Sequence, residues 1–112
     1  MSNTIVIGYR HTGIIVKDME ASLHFYKDIL GLKVIQDFHD DSDYINKITG
    51  MTNANVHMIK LKAKDGTVLE ILEYRNHPTE LIEQPIYNAG ASHIAFQVEN
   101  ADKAYEILRE NG

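Results

Sequence analysis

The chain of 112 residues contains no cysteine and no tryptophan, and only two prolines. Without cysteine no disulfide forms, and any metal ion has to be held by imidazole and carboxylate rather than thiolate. No apolar run approaches the roughly 20 residues of a transmembrane helix. The opening segment MSNTIVIGYRH has neither the basic region nor the cleavage site of a secretory signal. Excess positive charge is also missing. The 11 Lys and Arg residues are scattered singly against 16 Asp and Glu, for a formal charge of −5. A nucleic-acid partner calls for a basic face, so that class is excluded. These absences point to a cytoplasmic protein with neither a membrane nor a nucleic acid as its partner.

What is present is ordinary in bulk and informative in order. Hydrophobic residues make up 44% and charged residues 24%, the balance of one compact globular domain with little room for a second. Two stretches share a pattern: HTGIIVKDMEASLHFYKDILG from His11, and HIAFQVENADKAYEILRENG from His93. Each opens on His, runs through an apolar strand to Val, turns at an acidic or amide residue and enters an amphipathic helix. The same offset separates His11 from His93 and Val16 from Val98, the mark of a duplicated unit. In the first copy Asp18 is the expected N-cap, Met19, Leu23, Tyr26 and Leu30 the apolar stripe, and Gly31 the stop. In the second, Asn100 caps and Ala101, Ala104, Tyr105 and Leu108 form the stripe.

After Gly31 the first copy continues with strand patterns over 33–38, 55–63 and 68–74. The last two are joined by the KDGT turn with its Asp65-Gly66 pair. Residues 1–76 therefore read as a βαβββ unit, 77–90 as a linker carrying both prolines, and 91–112 as the start of a second unit. That second unit stops after one strand and one helix, so the reading expects a native chain that runs on through its remaining strands. The polar stretch from His39 to Asn55 is long for a connection. It suits a lid over a site, or a short helix from Ser42 to Ile48.

One residue breaks the apolar logic. In TVLEILEY, Glu70 shares a strand face with Val68, Leu72 and Tyr74. An ionised carboxylate there costs several kcal/mol, on the order of a softened Born penalty, unless something positive meets it. It could be partly solvated at a sheet rim, paired with a cation such as Arg10 or Arg75, or neutralised by a metal ion. The duplication bears on the choice. The faces Ile14–Val16 and Ile94–Phe96–Val98 are wholly apolar and should lie under the helices. His11 and His93 then point the other way, into a concavity that Gly13 and Ala95 keep open. If a pseudo-twofold axis relates the units, the two imidazoles face each other, and Glu70 belongs to the same concavity. His24, His39, His57 and His77 lack such support and read as solvated or packing residues.

The segments HTGIIVKDMEASLHFYKDILGLKV, GTVLEILEY and GASHIAFQVENADKAYEILRENG together resemble the vicinal oxygen chelate superfamily, over nearly the whole chain. That superfamily includes glyoxalase I, methylmalonyl-CoA epimerase, extradiol dioxygenases, and fosfomycin and bleomycin resistance proteins. The resemblance implies an α+β fold in which paired βαβββ units form a cupped, barrel-like mixed sheet around one divalent metal, here with the second unit truncated. It maps metal ligands onto His11, Glu70 and His93, and leaves a fourth, on the last strand of the second unit, without a counterpart. Nitrogen and oxygen ligands suit Ni, Co, Zn, Mn or Fe. The implied activity is of the glyoxalase I-like lyase or isomerase type. A small substrate with vicinal oxygens loses a proton to a carboxylate such as Glu70, and the enediolate or enolate is stabilised by the metal. The reaction is then lactoylglutathione lyase-like or acyl-CoA epimerase-like. An extradiol-type dioxygenase or a non-catalytic sequestering protein of the antibiotic-resistance kind are the alternatives. The resemblance also implies a homodimer.

Overall fold

The computed structural model describes residues 3–112. By its internal packing the chain divides into two units, one ending at Thr79 and one spanning Glu80–Gly112. The first contains β1 (Thr12–Ile15), α1 (Met19–Leu23) with a π-helical continuation over His24–Ile29, β2 (Lys33–Asp40), α2 (Asp43–Thr49), β3 (Val56–Lys62) and β4 (Val68–Tyr74). The second contains α3 (Ala101–Glu110).

Helix α1 starts where expected. Asp18 is extended and its carboxylate accepts the Ala21 N–H at 3.1 Å. A second acceptor comes from far along the chain, since Glu73 of β4 takes the Met19 N–H at 2.8 Å. The two carboxylates satisfy N–H groups that a helix start leaves without intrahelical partners. The widened π-helical turn is closed by the Leu30 N–H on the Phe25 carbonyl at 2.9 Å, and Gly31 follows at φ +81°. Met19, Leu23 and Tyr26 face the sheet as the helical spacing predicts, but Leu32 and not Leu30 completes the stripe. Leu32 lies beyond the helix: Gly31 turns the chain, the Leu32 N–H closes on the Tyr26 carbonyl at 3.0 Å, and its side chain packs against the core.

The four strands form one mixed sheet in the order β1-β4-β3-β2, with β1 parallel to β4 and the other pairs antiparallel. The β3–β4 hairpin turns at Asp65-Gly66. Gly66 takes φ +91°, and the Asp65 carboxylate accepts the Thr67 N–H at 2.9 Å. That turn sets the register of everything beyond it, placing Lys60 directly opposite Glu70. On the other side of β4, Gly13 of β1 is the partner of Glu70.

Alternation sorts the sheet into two faces. Ile59, Leu61 and Ile71 pack with Met19 under α1, joined by Val16, Leu23, Tyr26, Leu32 and Val34. The opposite face gathers Val56 and Met58 with Ile45 of α2, joined by Phe38, Leu72 and Tyr74. Residues 43–49 are thus a helix, the second of the two readings of that polar stretch. Ser42 caps it through the Ile45 N–H, and Gly50 ends it at φ +73°. Helix α2 covers one part of the face that carries Glu70.

In the second unit α3 forms as predicted, with the Asn100 side chain accepting the Lys103 N–H at 3.0 Å. The strand expected from His93 does not form. Residues 91–98 are not hydrogen-bonded into a sheet among the described residues, and Ile94, Phe96 and Val98 stay exposed. No residue of α3 is buried, so its stripe is likewise on the surface. An apolar alternation makes a segment able to be a strand, but a strand needs a neighbour to satisfy its backbone groups.

Candidate functional site

Glu70 sits in the middle of β4 and is 9% exposed, the one polar residue among the buried positions of the described residues. Its two neighbours in register explain how a carboxylate is tolerated there. On the β1 side Gly13 presents no side chain. A Cβ at that position would lie 3.8 Å from Glu70 Oε1 and 3.4 Å from the Leu72 side chain, so the glycine leaves the space over the carboxylate open. On the β3 side Lys60 brings its Nζ to 3.8 Å from Oε2. His11, immediately before β1, brings Nε2 to 3.7 Å from Oε1. Both separations are longer than a hydrogen bond, so the Lys60 ammonium meets the carboxylate by charge rather than by directional bonding.

The cation opposite Glu70 is therefore Lys60, and neither Arg10 nor Arg75, the two flanking candidates. Arg75 instead lies 3.6 Å from Glu73. The pairing rests on a three-residue loop, with Ala63 bonded to Thr67 across residues 64–66; a two-residue turn on Asp65-Gly66 would instead set Leu61 opposite Glu70. Composition and flanking residues do not reveal it; strand register does.

A divalent metal sets a distance limit on its donors. Two donors bound to one ion at about 2.1 Å each lie at most about 4.2 Å apart, so the 3.7 Å between His11 Nε2 and Glu70 Oε1 admits a shared ion. Imidazole nitrogen with carboxylate oxygen is a chemically suitable pair, and His11 and Glu70 fit as one half of a site. His93 belongs to the second unit and is exposed. Among the described residues no three His, Asp or Glu side chains gather in an arrangement able to hold a metal ion.

The remaining histidines have other engagements. His24 Nδ1 lies 2.9 Å from Asp28 one helical turn on, and His57 Nε2 lies 2.6 Å from Asp37. His39 stacks on His57 across β2–β3, with ring centroids 4.1 Å apart. His77 Nδ1 is 3.0 Å from Asn76 Oδ1.

Residues 8–112 match the family described as Glyoxalase/Bleomycin resistance protein/Dioxygenase superfamily. The chain is 30% identical over 112 residues to a lactoylglutathione lyase of Schizosaccharomyces pombe. That match takes in 91% of this chain and spans 36% of the length of the yeast protein. Among solved structures, a glyoxalase family protein from Bacillus cereus superposes with a TM-score of 0.88 at 19% identity. It covers 100% of this chain and 76% of the other. The fosfomycin resistance protein FosX from Listeria monocytogenes, in complex with Mn(II) and sulfate, superposes with a TM-score of 0.61 at 21% identity, over 96% of this chain and 73% of that one. At these identities the two structures show a shared fold.

Proposed function

The chain belongs to the glyoxalase/bleomycin resistance protein/dioxygenase superfamily, and from that premise we propose that it is a metal-dependent enzyme of the glyoxalase I-like lyase or isomerase type. The observation that carries the proposal is the approach of His11 Nε2 to Glu70 Oε1 at 3.7 Å, over a spot that Gly13 leaves clear. His11 and Glu70 are the residues of the first unit that would hold the ion, with His93 the further ligand that the sequence resemblance implies, and the ion would supply Lewis acidity for an oxyanion developing on a substrate with two neighbouring oxygens. Glu70, buried beside that space, is the carboxylate placed to move the proton at the adjacent carbon. Lys60 balances its charge from β3. A hemithioacetal or an acyl-CoA carries the required oxygens, and the protein acts as a homodimer.

A second reading has one observation in its favour. Lys60 already offers Glu70 a cation, and the described residues gather no three-donor set. A metal-free protein that sequesters a small molecule would need nothing more. Metal analysis of the purified protein, with glyoxalase and epimerase assays run across Ni, Co, Zn, Mn and Fe, separates the two. The enzyme reading expects stoichiometric metal and metal-dependent turnover. It also expects Glu70→Gln and His93→Ala each to weaken metal binding by about 10- to 100-fold. No bound metal, or affinity unchanged in both variants, leaves the sequestering reading.

A further inference from the structure

A separate feature lies where β1 and β4 end. The parallel pairing of these strands, extended by the Val16 N–H on the Leu72 carbonyl at 2.8 Å, brings the residue after Val16 beside the residues after Leu72. The result is a cleft of about 270 Å³ lined by Lys17, Glu73, Tyr74, Arg75, His77 and Thr79, all within the first unit. Its walls are tied down. The Arg75 N–H donates to the Asn55 carbonyl at 2.8 Å, and Tyr74 packs into the core face shared with α2. The Asn76 amide N–H donates to the Asn53 carbonyl, which leaves Asn76 Oδ1 to accept from His77 Nδ1.

The charge of this cleft runs against that of the chain. A formal charge of −5 repels anions in general. Here two permanent cations and an imidazole stand around one acid, and that acid is committed. Glu73 Oε2 accepts the Met19 N–H and Oε1 faces Arg75. Lys17 has no ion pair among the described residues. Arg75 is half exposed and touches Glu73 through one guanidinium nitrogen at 3.6 Å, so its other N–H groups stay available. The lining thus offers an ammonium and most of a guanidinium, with His77 and Thr79 beside them, around a small volume. Such a set suits a tetrahedral oxyanion with several acceptor oxygens better than a single carboxylate. The volume falls short of the 300 Å³ or so at which whole-ligand pockets begin, which fits one anionic end of a molecule.

We propose that the cleft between Lys17, Arg75 and His77 binds the phosphoryl group of a phosphorylated small molecule. The site is independent of His11 and Glu70 and takes no part in the metal reading above, so neither proposal falls with the other.

The test is a titration of the isotope-labelled chain, without metal, followed by amide NMR. The probes are inorganic phosphate, phenyl phosphate and, as a control, acetate. Saturable shifts confined to residue 17, residues 73–77 and residue 79 are expected with both phosphates and not with acetate. Lys17→Gln and Arg75→Gln should each weaken binding by about tenfold, the scale of one charge-assisted contact. Lys62→Gln, at the far end of β3, should leave it unchanged. Phenyl phosphate binding at least as tightly as inorganic phosphate upholds recognition of a phosphorylated ligand, and its exclusion while inorganic phosphate still binds overturns it. Absence of a saturable shift, equal response to acetate, or a Lys62→Gln loss as large as that of Lys17→Gln overturns it.

Discussion

Replacing Lys60 by Met tests whether the carboxylate at position 70 depends on its neighbour across the hairpin. Methionine keeps most of the length and apolar stem of lysine and removes only the charge. The ion pair spans 3.8 Å, with the Lys60 and Glu70 side chains 21% and 12% exposed. At an effective dielectric of 20 two unit charges at that distance attract by about 4 kcal/mol, which sets a ceiling. The fifth of Lys60 that remains exposed lets water screen the pair, and the missing direct hydrogen bond lowers the value further. A loss of about 1–3 kcal/mol follows, below the roughly 3–5 kcal/mol of a fully buried broken pair. For a chain of this size that is a fall of the thermal midpoint by about 4–8 °C per kcal/mol. Urea unfolding of the parent, Lys60→Met, Glu70→Gln and the double variant isolates the pairwise term. The double variant should recover part of the loss, because it leaves no charge buried alone. The ammonium and a divalent ion compete for Glu70, so Lys60→Met should also bind Zn or Mn more tightly, by about tenfold for each 1.4 kcal/mol of competition removed. A coupling within about 0.3 kcal/mol of zero would mean that the two charges are independent. The account of how Glu70 is tolerated would then be wrong.

Gly13 gives a graded test of the open space. Gly13→Ala puts a methyl at 3.4 Å from Leu72 and 3.8 Å from Glu70, ordinary contact distances, so it should fold with a change of no more than about 0.5 kcal/mol. Gly13→Leu should fold as well but cover the carboxylate and abolish metal binding by calorimetry, and undiminished binding would place the ion elsewhere. Ser42→Ala probes the α2 junction. The Ser42 hydroxyl and N–H, donating to the Asp40 carboxylate, hold its pKa below the ordinary value. A lowered folded-state pKa contributes stability that is present above the unfolded value and lost as the pH falls through the folded one. Ser42→Ala should raise the Asp40 pKa towards normal by carboxyl NMR. It should also cost about 1 kcal/mol in unfolding from the lost cap at Ile45, with the larger difference from the parent at neutral rather than acid pH.

Much of the first unit could be read from local chemistry. Asp18, Gly31, the Asp65-Gly66 turn and the strand alternation each act over a few residues, where propensity and hydrogen bonding decide the outcome. The polar stretch after His39 stayed ambiguous because a cap at Ser42 and a stop at Gly50 are compatible with a mobile loop. Burial of Ile45 against Val56 and Met58 makes it a helix. The use of Leu32 in place of Leu30 was hidden because it depends on how the chain turns at Gly31, after the helix has ended.

The candidate site divides along the same line. Sequence alone determined that Glu70 falls on an apolar strand face, that His11 opens the strand before Gly13, and that the chain carries the marks of its superfamily. These follow from the two-residue period of a strand and from motif spacing. Only the tertiary structure decided which cation stands opposite Glu70, how close His11 comes, and that Ile94, Phe96 and Val98 form no strand. Each of those depends on which backbone lies alongside, and pairing between distant segments is settled by register and burial rather than by the residues of any one segment.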